Sequence, residues 1–424
     1  MNLTDDERRM LLHELLNMGE NMLSCGGEVS RVEETLSLMG KAYGAERTNV
    51  FCITSSMVLT IQFPIRQELT QTRRLSLGAN DFVKLERYND LSRHCCEKPL
   101  PVKELRERIQ EIESRTHSRP VFYGGSALGA FAFAMFFGGT LWDGLAAALL
   151  GLFVCFLQEK LPRYSSGRFI YNLLISLATA LVIGSICHFV PFLHEDKILI
   201  GEVMLMIPGI AMTNAVRDIL VGNTIAGLLR LVESVLWAGA LAAGVMIALL
   251  LVSGPETELA ANPLWVEFLM AMLGSLGFSI LFHVRGRLLP YAALGGLLTW
   301  AVYRLMLQFT AVPESASVSS LIQAFSTGGV FLPTLAAAAF AALYAEILAR
   351  FLKTPATVLY IPAVVPLIPG STLYYTMAGV VRTSESALTY GSLTLAYTLA
   401  IAVGTAAIWA VFFAIRQIKL RKKA

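Results

Sequence analysis

Polar and apolar positions interleave through residues 1–117, whereas from residue 118 onward charge thins out and apolar runs follow one another. In the first part, Thr4-Asp5-Asp6-Glu7 has capping-box spacing and Leu11, Leu15, Met18 and Met22 follow at helical intervals, predicting a helix from about Asp5 to Leu23. Cys25-Gly26-Gly27 breaks it. Glu28 to Tyr43 resumes a helical period with Val29, Val32, Leu36 and Met39 on one face, and Gly44 stops it. Asn49 to Phe63 is rich in β-branched and aromatic residues and reads as a strand or a bent pair of strands, with another expected at 68–77. Asp81 to Cys95 reads as a helix, and Val102, Leu105, Ile109 and Ile112 line one face of a charged helix that leads to Arg119-Pro120. Residues 1–117 are therefore expected to form a small α+β head.

A hydrocarbon layer about 30 Å thick is crossed by roughly 20 apolar residues in a helix. Runs of that kind predict ten spans, at 120–138, 141–158, 169–190, 197–215, 224–252, 263–283, 288–308, 318–349, 354–377 and 385–414. With the head inside, one set of links holds Lys160, Arg163 and Arg168, then Arg217, Arg285 and Arg287, Arg350 and Lys353, and the tail from Arg416 to Lys423. The opposite links hold only Lys197 and Arg382 as cations. That bias orients the chain with both termini in the cytoplasm. The opening residues are charged and of mixed sign, unlike a signal peptide, which agrees.

Composition strengthens the picture. Of 424 residues 55% are hydrophobic and 15% charged, against about 25% charged in soluble domains. Residues 1–117 hold 16 of the 34 Lys+Arg and 18 of the 31 Asp+Glu, so the head is net −2 and the rest +5. Neither part has the basic excess of a nucleic-acid binder. The six cysteines lack paired spacing, and His94-Cys95-Cys96 has no second ligand pair, so neither a disulfide framework, a metal nor a cofactor is expected.

Val203-Met204-Leu205-Met206-Ile207-Pro208-Gly209 recurs 161 residues later as Val364-Val365-Pro366-Leu367-Ile368-Pro369-Gly370, and Leu241-Ala242-Ala243-Gly244 recurs 160 later as Ile401-Ala402-Val403-Gly404. Each Ile-Pro-Gly falls in the fourth span of a five-span half. Because five is odd, the second half enters the bilayer from the opposite face, giving an inverted repeat. Proline removes a donor and clashes with the preceding turn, and glycine tolerates angles that other residues avoid, so each span should be interrupted. Paired interruptions of this kind point to a central substrate site. The resulting division is a head at 1–117, a first five-helix repeat at 118–252, and a second at 253–424 with a basic tail.

Ionisable residues within spans are costly and are functional candidates. Glu202, Asn214, Arg217 and Asp218 flank the first interruption, and Arg230 and Glu233 are spaced to pair on one face of the fifth span. Asp218, Glu202 and Glu233 are the candidates for proton coupling. Pro208, Gly209, Thr213, Asn214 and Arg230, with Pro369, Gly370, Ser371 and Thr372, are the candidates for binding a small polar solute; Tyr374 and Tyr375 follow them. Capping of freed backbone is the competing role for these hydroxyls.

The ordered combination of Gly27-Glu28-Val29-Ser30-Arg31-Val32-Glu33-Glu34-Thr35, Thr54-Ser55-Ser56, the Ile207-Pro208-Gly209 span leading into Asn214, Asp218, Gly222 and Arg230, and Pro366-Leu367-Ile368-Pro369-Gly370 resembles the threonine/serine exporter (ThrE) family. It is similar to a fused form, with residues up to about 252 resembling YjjP and the remainder YjjB. The resemblance implies export of small hydrophilic metabolites across the inner membrane, threonine and serine in some members and succinate in two-component ones, driven by the proton-motive force. Its partners would be the solute, protons and lipid, with a homo-oligomer compatible. The rivals are a passive channel and a membrane-embedded enzyme using Ser126, for which helix packing by Gly124-Gly125-Ser126-Ala127 is the simpler explanation.

Overall fold

The computed structural model describes residues 3–53, 55–64, 67–75, 80–115, 118–161, 167–220, 222–252, 262–310, 329–384 and 386–421. Thr54, Arg163, the start of the eighth expected span at 318–328, and Lys422 and Lys423 lie outside these residues, as does the side chain of Arg217.

The head is built as the periodicity predicts. Helix α1 (Asp5–Ser24) opens on a reciprocal capping box, in which Thr4 Oγ1 accepts from Glu7 N and Glu7 Oε2 accepts from Thr4 N at 2.9 Å. Helix α2 (Val29–Ala42) follows the Gly26–Gly27 turn. Strands β1 (Arg47–Ile53), β2 (Ser56–Phe63) and β3 (Gln67–Arg74) form one antiparallel sheet in that order. The apolar stretch 49–63 is thus a hairpin, not one strand. Met57, Leu59, Ile61 and Phe63 alternate inward from β2 to meet Leu11, Leu15 and Met18 of α1 and Leu36 of α2. Helices α3 (Phe82–Glu97) and α4 (Val102–Ser114) complete the head, α4 burying Val102, Leu105, Ile109 and Ile112.

The remainder is helical. It comprises α5 (Arg119–Phe136), α6 (Leu141–Lys160), α7 (Arg168–Phe189), α8 (Glu195–Met206), α9 (Gly209–Leu220), α10 (Thr224–Val252), α11 (Leu264–Leu281), α12 (Leu289–Thr310), α13 (Phe331–Leu352), α14 (Ala356–Val364), α15 (Gly370–Val381) and α16 (Ser386–Arg421). Seven helices among the described residues are long and apolar enough to cross a bilayer, or eight if α14 and α15, bent by 47° at their junction, count as one. The chain is a polytopic helical membrane protein with a small N-terminal sheet. Ten spans would also need α5 and the α8–α9 pair. These fall outside the count because α5 has just 18 residues and opens with Arg119-Pro120, and α8 and α9 have 12 residues each.

Small residues let α5 and α11 touch. A Cβ on Gly125 would lie 3.0 Å from Gly277 O, and one on Gly277 would lie 2.6 Å from Gly129 N. Ser126 packs instead against α6, its hydroxyl donating to Gly151 O at 3.0 Å.

Neighbour relations repeat along the chain. α5 packs on α6 as α11 does on α12, and α7 on α10 as α13 does on α16; α9 lies on α10 as α15 does on α16. Across the halves, α10 meets α15 and α16 meets α9. The repeated glycines occupy equivalent crossings. A Cβ on Gly244 would strike Ser176 and Leu173 O of α7, and one on Gly404 would strike Leu335 O of α13. Overpacking of this kind costs about 1–3 kcal/mol. Gly244→Ala and Gly404→Ala should each lower the thermal unfolding midpoint of the detergent-purified protein, while Gly239→Ala on α10, where a Cβ meets nothing within 4 Å, leaves it unchanged or slightly raised.

Candidate functional site

The two Ile-Pro-Gly segments adopt the same break. Ile207 leaves α8 with φ −61° and ψ 130°, and Ile368 ends the 3₁₀ turn after α14 with φ −63° and ψ 127°. Extended geometry before proline follows from the clash between the proline ring and the preceding residue. Helix resumes at the glycine in both copies. Gly209 N donates to Ile207 O and Gly370 N to Ile368 O, each at 2.8 Å; Met212 N then donates to Pro208 O at 3.1 Å and Leu373 N to Pro369 O at 3.0 Å. The breaks also touch. A Cβ on Gly209 would lie 3.3 Å from Ile368 Cδ1, and one on Gly370 would meet Met204, at 3.1 Å from its Cγ.

Beside this contact lies a cavity of about 160 Å³. Pro208, Gly209, Thr213, Asn214, Arg230 and Glu233 line it, as do Val365 and Ile368 of the second break. So do residues that sequence reasoning did not select. Arg168, which in the sequence belongs to a basic link, stacks on Trp237 at 4.9 Å, and Ser24, Gly26, Gly27 and Asn80 come from the head. Pro369 instead lines a second, largely apolar cavity of about 170 Å³ that shares Gly209, Thr213 and Ile368 with the first. Gly370, Ser371 and Thr372 line neither of these cavities. Thr372 Oγ1 donates to Pro369 O at 3.2 Å and accepts from Thr394 Oγ1 at 2.9 Å, so it serves the freed backbone.

The charges arrange differently from the pairing expected. Arg230 pairs not with Glu233 but with Asp218, Arg230 Nη1 donating to Asp218 Oδ2 at 2.9 Å, both residues buried. The α9–α10 turn at Gly222, φ +102°, folds α10 back so closely that Gly227 lies against Ala215 O, which brings Asp218 within reach first. Glu233 Oε2 is buried with no hydrogen-bond partner among the described residues, as is Asn214 Oδ1, while Asn214 Nδ2 donates to Gly26 O at 3.2 Å. Glu202, on α8, is fully buried, and neither of its oxygens has a partner among the described residues. It lines neither cavity.

At the far end of the broken helices from the head, Tyr375 on α15 joins Asp196 and Lys197 on α8. Lys197 Nζ donates to Tyr375 OH at 2.8 Å and pairs with Asp196 Oδ2 at 2.9 Å, while Tyr375 OH donates to Asp196 Oδ2 at 2.8 Å. In the sequence Lys197 reads as a cation of an outer link.

Comparison with known proteins agrees with the motifs. The family model ThrE, "Putative threonine/serine exporter", matches residues 13–252, and ThrE_2, "Threonine/Serine exporter, ThrE", matches 267–411. A "Threonine/serine exporter" of Corynebacterium glutamicum is 22% identical over 411 residues, covering 92% of this chain and 79% of that protein. The "Probable succinate transporter subunit YjjP" of Klebsiella aerogenes is 25% identical over 248 residues, 57% of this chain and 94% of that subunit. No solved structure matches. The first family match alone spans more than half of the chain and contains the first break with its charged neighbours, so the protein belongs to the threonine/serine exporter family and is a multi-pass plasma-membrane protein.

Proposed function

We propose that the protein is a secondary transporter that exports threonine- or serine-type amino acids by alternating access, coupled to proton entry. The observation that carries this reading is one cavity, at the meeting point of two matching helix breaks, that offers both signs of charge. A zwitterion needs both. Arg230 and Arg168 would receive the solute carboxylate, aided by the positive ends of α9 and α15 at the breaks. Glu233 and the amide oxygen of Asn214 would receive its ammonium, and Thr213 its hydroxyl.

The reading divides the chain into the head at 1–117 and two five-span halves at 118–252 and 253–424, with α8–α9 and α14–α15 each a broken span. The repeated neighbour relations and the exchanged contacts of α10 with α15 and α16 with α9 support an inverted repeat. The head and the basic tail would lie in the cytoplasm. Rocking of the halves about the breaks would expose the cavity to either side, with the Asp196–Lys197–Tyr375 cluster closing the outer one. Glu202 is the preferred coupling group, because a lone carboxylate in a bundle interior is costly unless function retains it. Asp218 is the alternative, by releasing Arg230.

In proteoliposomes, Glu202→Gln should abolish proton-driven uphill transport while leaving counterflow exchange; uphill transport at the normal rate would remove Glu202 from coupling. A dicarboxylate is the second reading, favoured by two guanidinium groups in one cavity. Loss of a charged hydrogen bond costs about 1.5–3 kcal/mol, roughly ten- to a hundredfold in affinity. Glu233→Gln should therefore raise KM for threonine by that factor, and Arg230→Gln should raise it as well. Insensitivity of threonine KM to Glu233→Gln, together with a loss of succinate transport in Arg168→Gln, would favour the dicarboxylate.

A further inference from the structure

Among the described residues the head meets the membrane helices at several places, including Arg93 Nη1 donating to Lys353 O at 3.3 Å and β1 lying on α10. On α3, Phe82 N donates to Phe282 O at 3.1 Å, the Phe82 and Phe282 rings lie 5.9 Å apart, and Glu86 pairs with Arg285 at 3.4 Å and with Arg287. A further attachment, the turn between α1 and α2, lies on the cavity itself. Ser24, Gly26 and Gly27 form part of the cavity wall, and Asn80 stands beside them. Gly26 O accepts from Asn214 Nδ2 on α9 at 3.2 Å. Next along the turn, the buried carboxylate of Glu28 accepts from Thr357 Oγ1 on α14 and pairs with Arg31 at 3.5 Å, while Arg31 reaches Glu346 of α13 at 3.7 Å.

The turn therefore bridges α9 of the first half and α14 of the second, and the first turn of α2 adds α13 through Arg31. Its shape is specified by two glycines. Gly26 has φ +95°, which side-chain-bearing residues rarely adopt, and a Cβ on Gly27 would lie 2.6 Å from Met22 O. The neighbours that fix these glycines, Met22, Asn80 and Phe82, belong to the head, so the head itself sets the turn that Asn214 meets. A soluble module that merely hung from the membrane domain would not need to supply cavity wall.

We propose that the head completes the solute site, and that the Cys25–Glu28 turn is its gate on the head side. Closed, the turn separates the cavity from the solution around the head and clamps the inner arms of both broken helices. Solute enters from that side only when the turn withdraws, breaking the Asn214–Gly26 and Thr357–Glu28 hydrogen bonds together. This rests on the cavity being the solute site. Cys25 is a built-in reporter of the movement, since it is 6% exposed and burial, with Asp81 nearby, pushes its thiol up to about 12.

The test uses the full chain in proteoliposomes. Glu28→Cys with Thr357→Cys, bridged by a short bifunctional methanethiosulfonate, should lose transport by about tenfold or more and regain it on reduction, because lid opening is required in each cycle. Each single variant should be insensitive to the reagent. If that pair does not assemble, Arg31→Cys with Glu346→Cys tethers the same turn. In the native chain, N-ethylmaleimide labelling of Cys25, followed by peptide mass spectrometry, should accelerate during turnover with threonine. Unchanged flux in the tethered protein, or Cys25 labelling that turnover does not alter, would overturn the gate. The gate and the site fail separately: tether-insensitive flux with an Arg230→Gln effect on KM removes only the gate, and tether-sensitive flux with KM unmoved by Arg230→Gln removes only the solute site.

Discussion

A proline inside a bilayer helix leaves a carbonyl without its donor, and hydrocarbon supplies no water to replace it. Pro208 and Pro369 interrupt helix at matching places in the chain, and the surrounding structure answers in matching ways. The chain extends for one residue, turns at a glycine and begins a new helix. Such backbone survives only inside protein or along a cavity, so the two breaks are held in the interior and against each other. Gly209 on Ile368 and Gly370 on Met204 are that mutual contact. Helix starts with unused N–H groups, a cavity and the nearby charges all follow from it.

Charge placement reflects the same constraint. Around the breaks Asp218 and Arg230 meet one another and Arg168 and Glu233 line the cavity, whereas Glu202 on α8 is buried away from both cavities. Asp218 and Arg230 hold α9 to α10, and breaking such a buried pair costs about 3–5 kcal/mol. Arg168 lies over Trp237, whose ring face accepts a cation. Glu233 and Asn214 keep acceptor atoms unused at the cavity. Farther out, the Asp196–Lys197–Tyr375 cluster joins α8 to α15 on one side of the breaks, and the head turn meets α9 and α14 on the other.

Much of this was legible in the sequence for reasons that can be named. The head helices declare themselves by period and cap, with Thr4 to Glu7 marking the first to within a residue. The breaks were visible because proline and glycine constrain the backbone locally, without help from tertiary structure. Other features depend on which elements meet. Arg230 and Glu233 have helix-pair spacing, yet the tight α9–α10 turn presents Asp218 to Arg230 first. Arg168 looks like any cation at the edge of an apolar run until α7 is laid against α10 and Trp237. Nothing local in Cys25-Gly26-Gly27 tells that a helix stop is also cavity wall. An α5 of 18 residues that opens with Arg119-Pro120, and an α8–α9 pair of 12 residues each, separate the ten apolar runs from the seven or eight clear crossing helices among the described residues.

The central claim, that the two broken helices are antiparallel equivalents meeting at one solute site, is tested most directly by sided cysteine accessibility. Single cysteines placed along α8, α9, α14 and α15 would be labelled in oriented vesicles by a membrane-impermeant maleimide. Reagent on the head side is predicted to reach positions in α9 and α14, reagent on the other side positions in α8 and α15, and threonine to protect those nearest Gly209 and Gly370. Labelling of α8 and α14 from one side and of α9 and α15 from the other would mean that both broken helices run in the same direction, and would contradict the account.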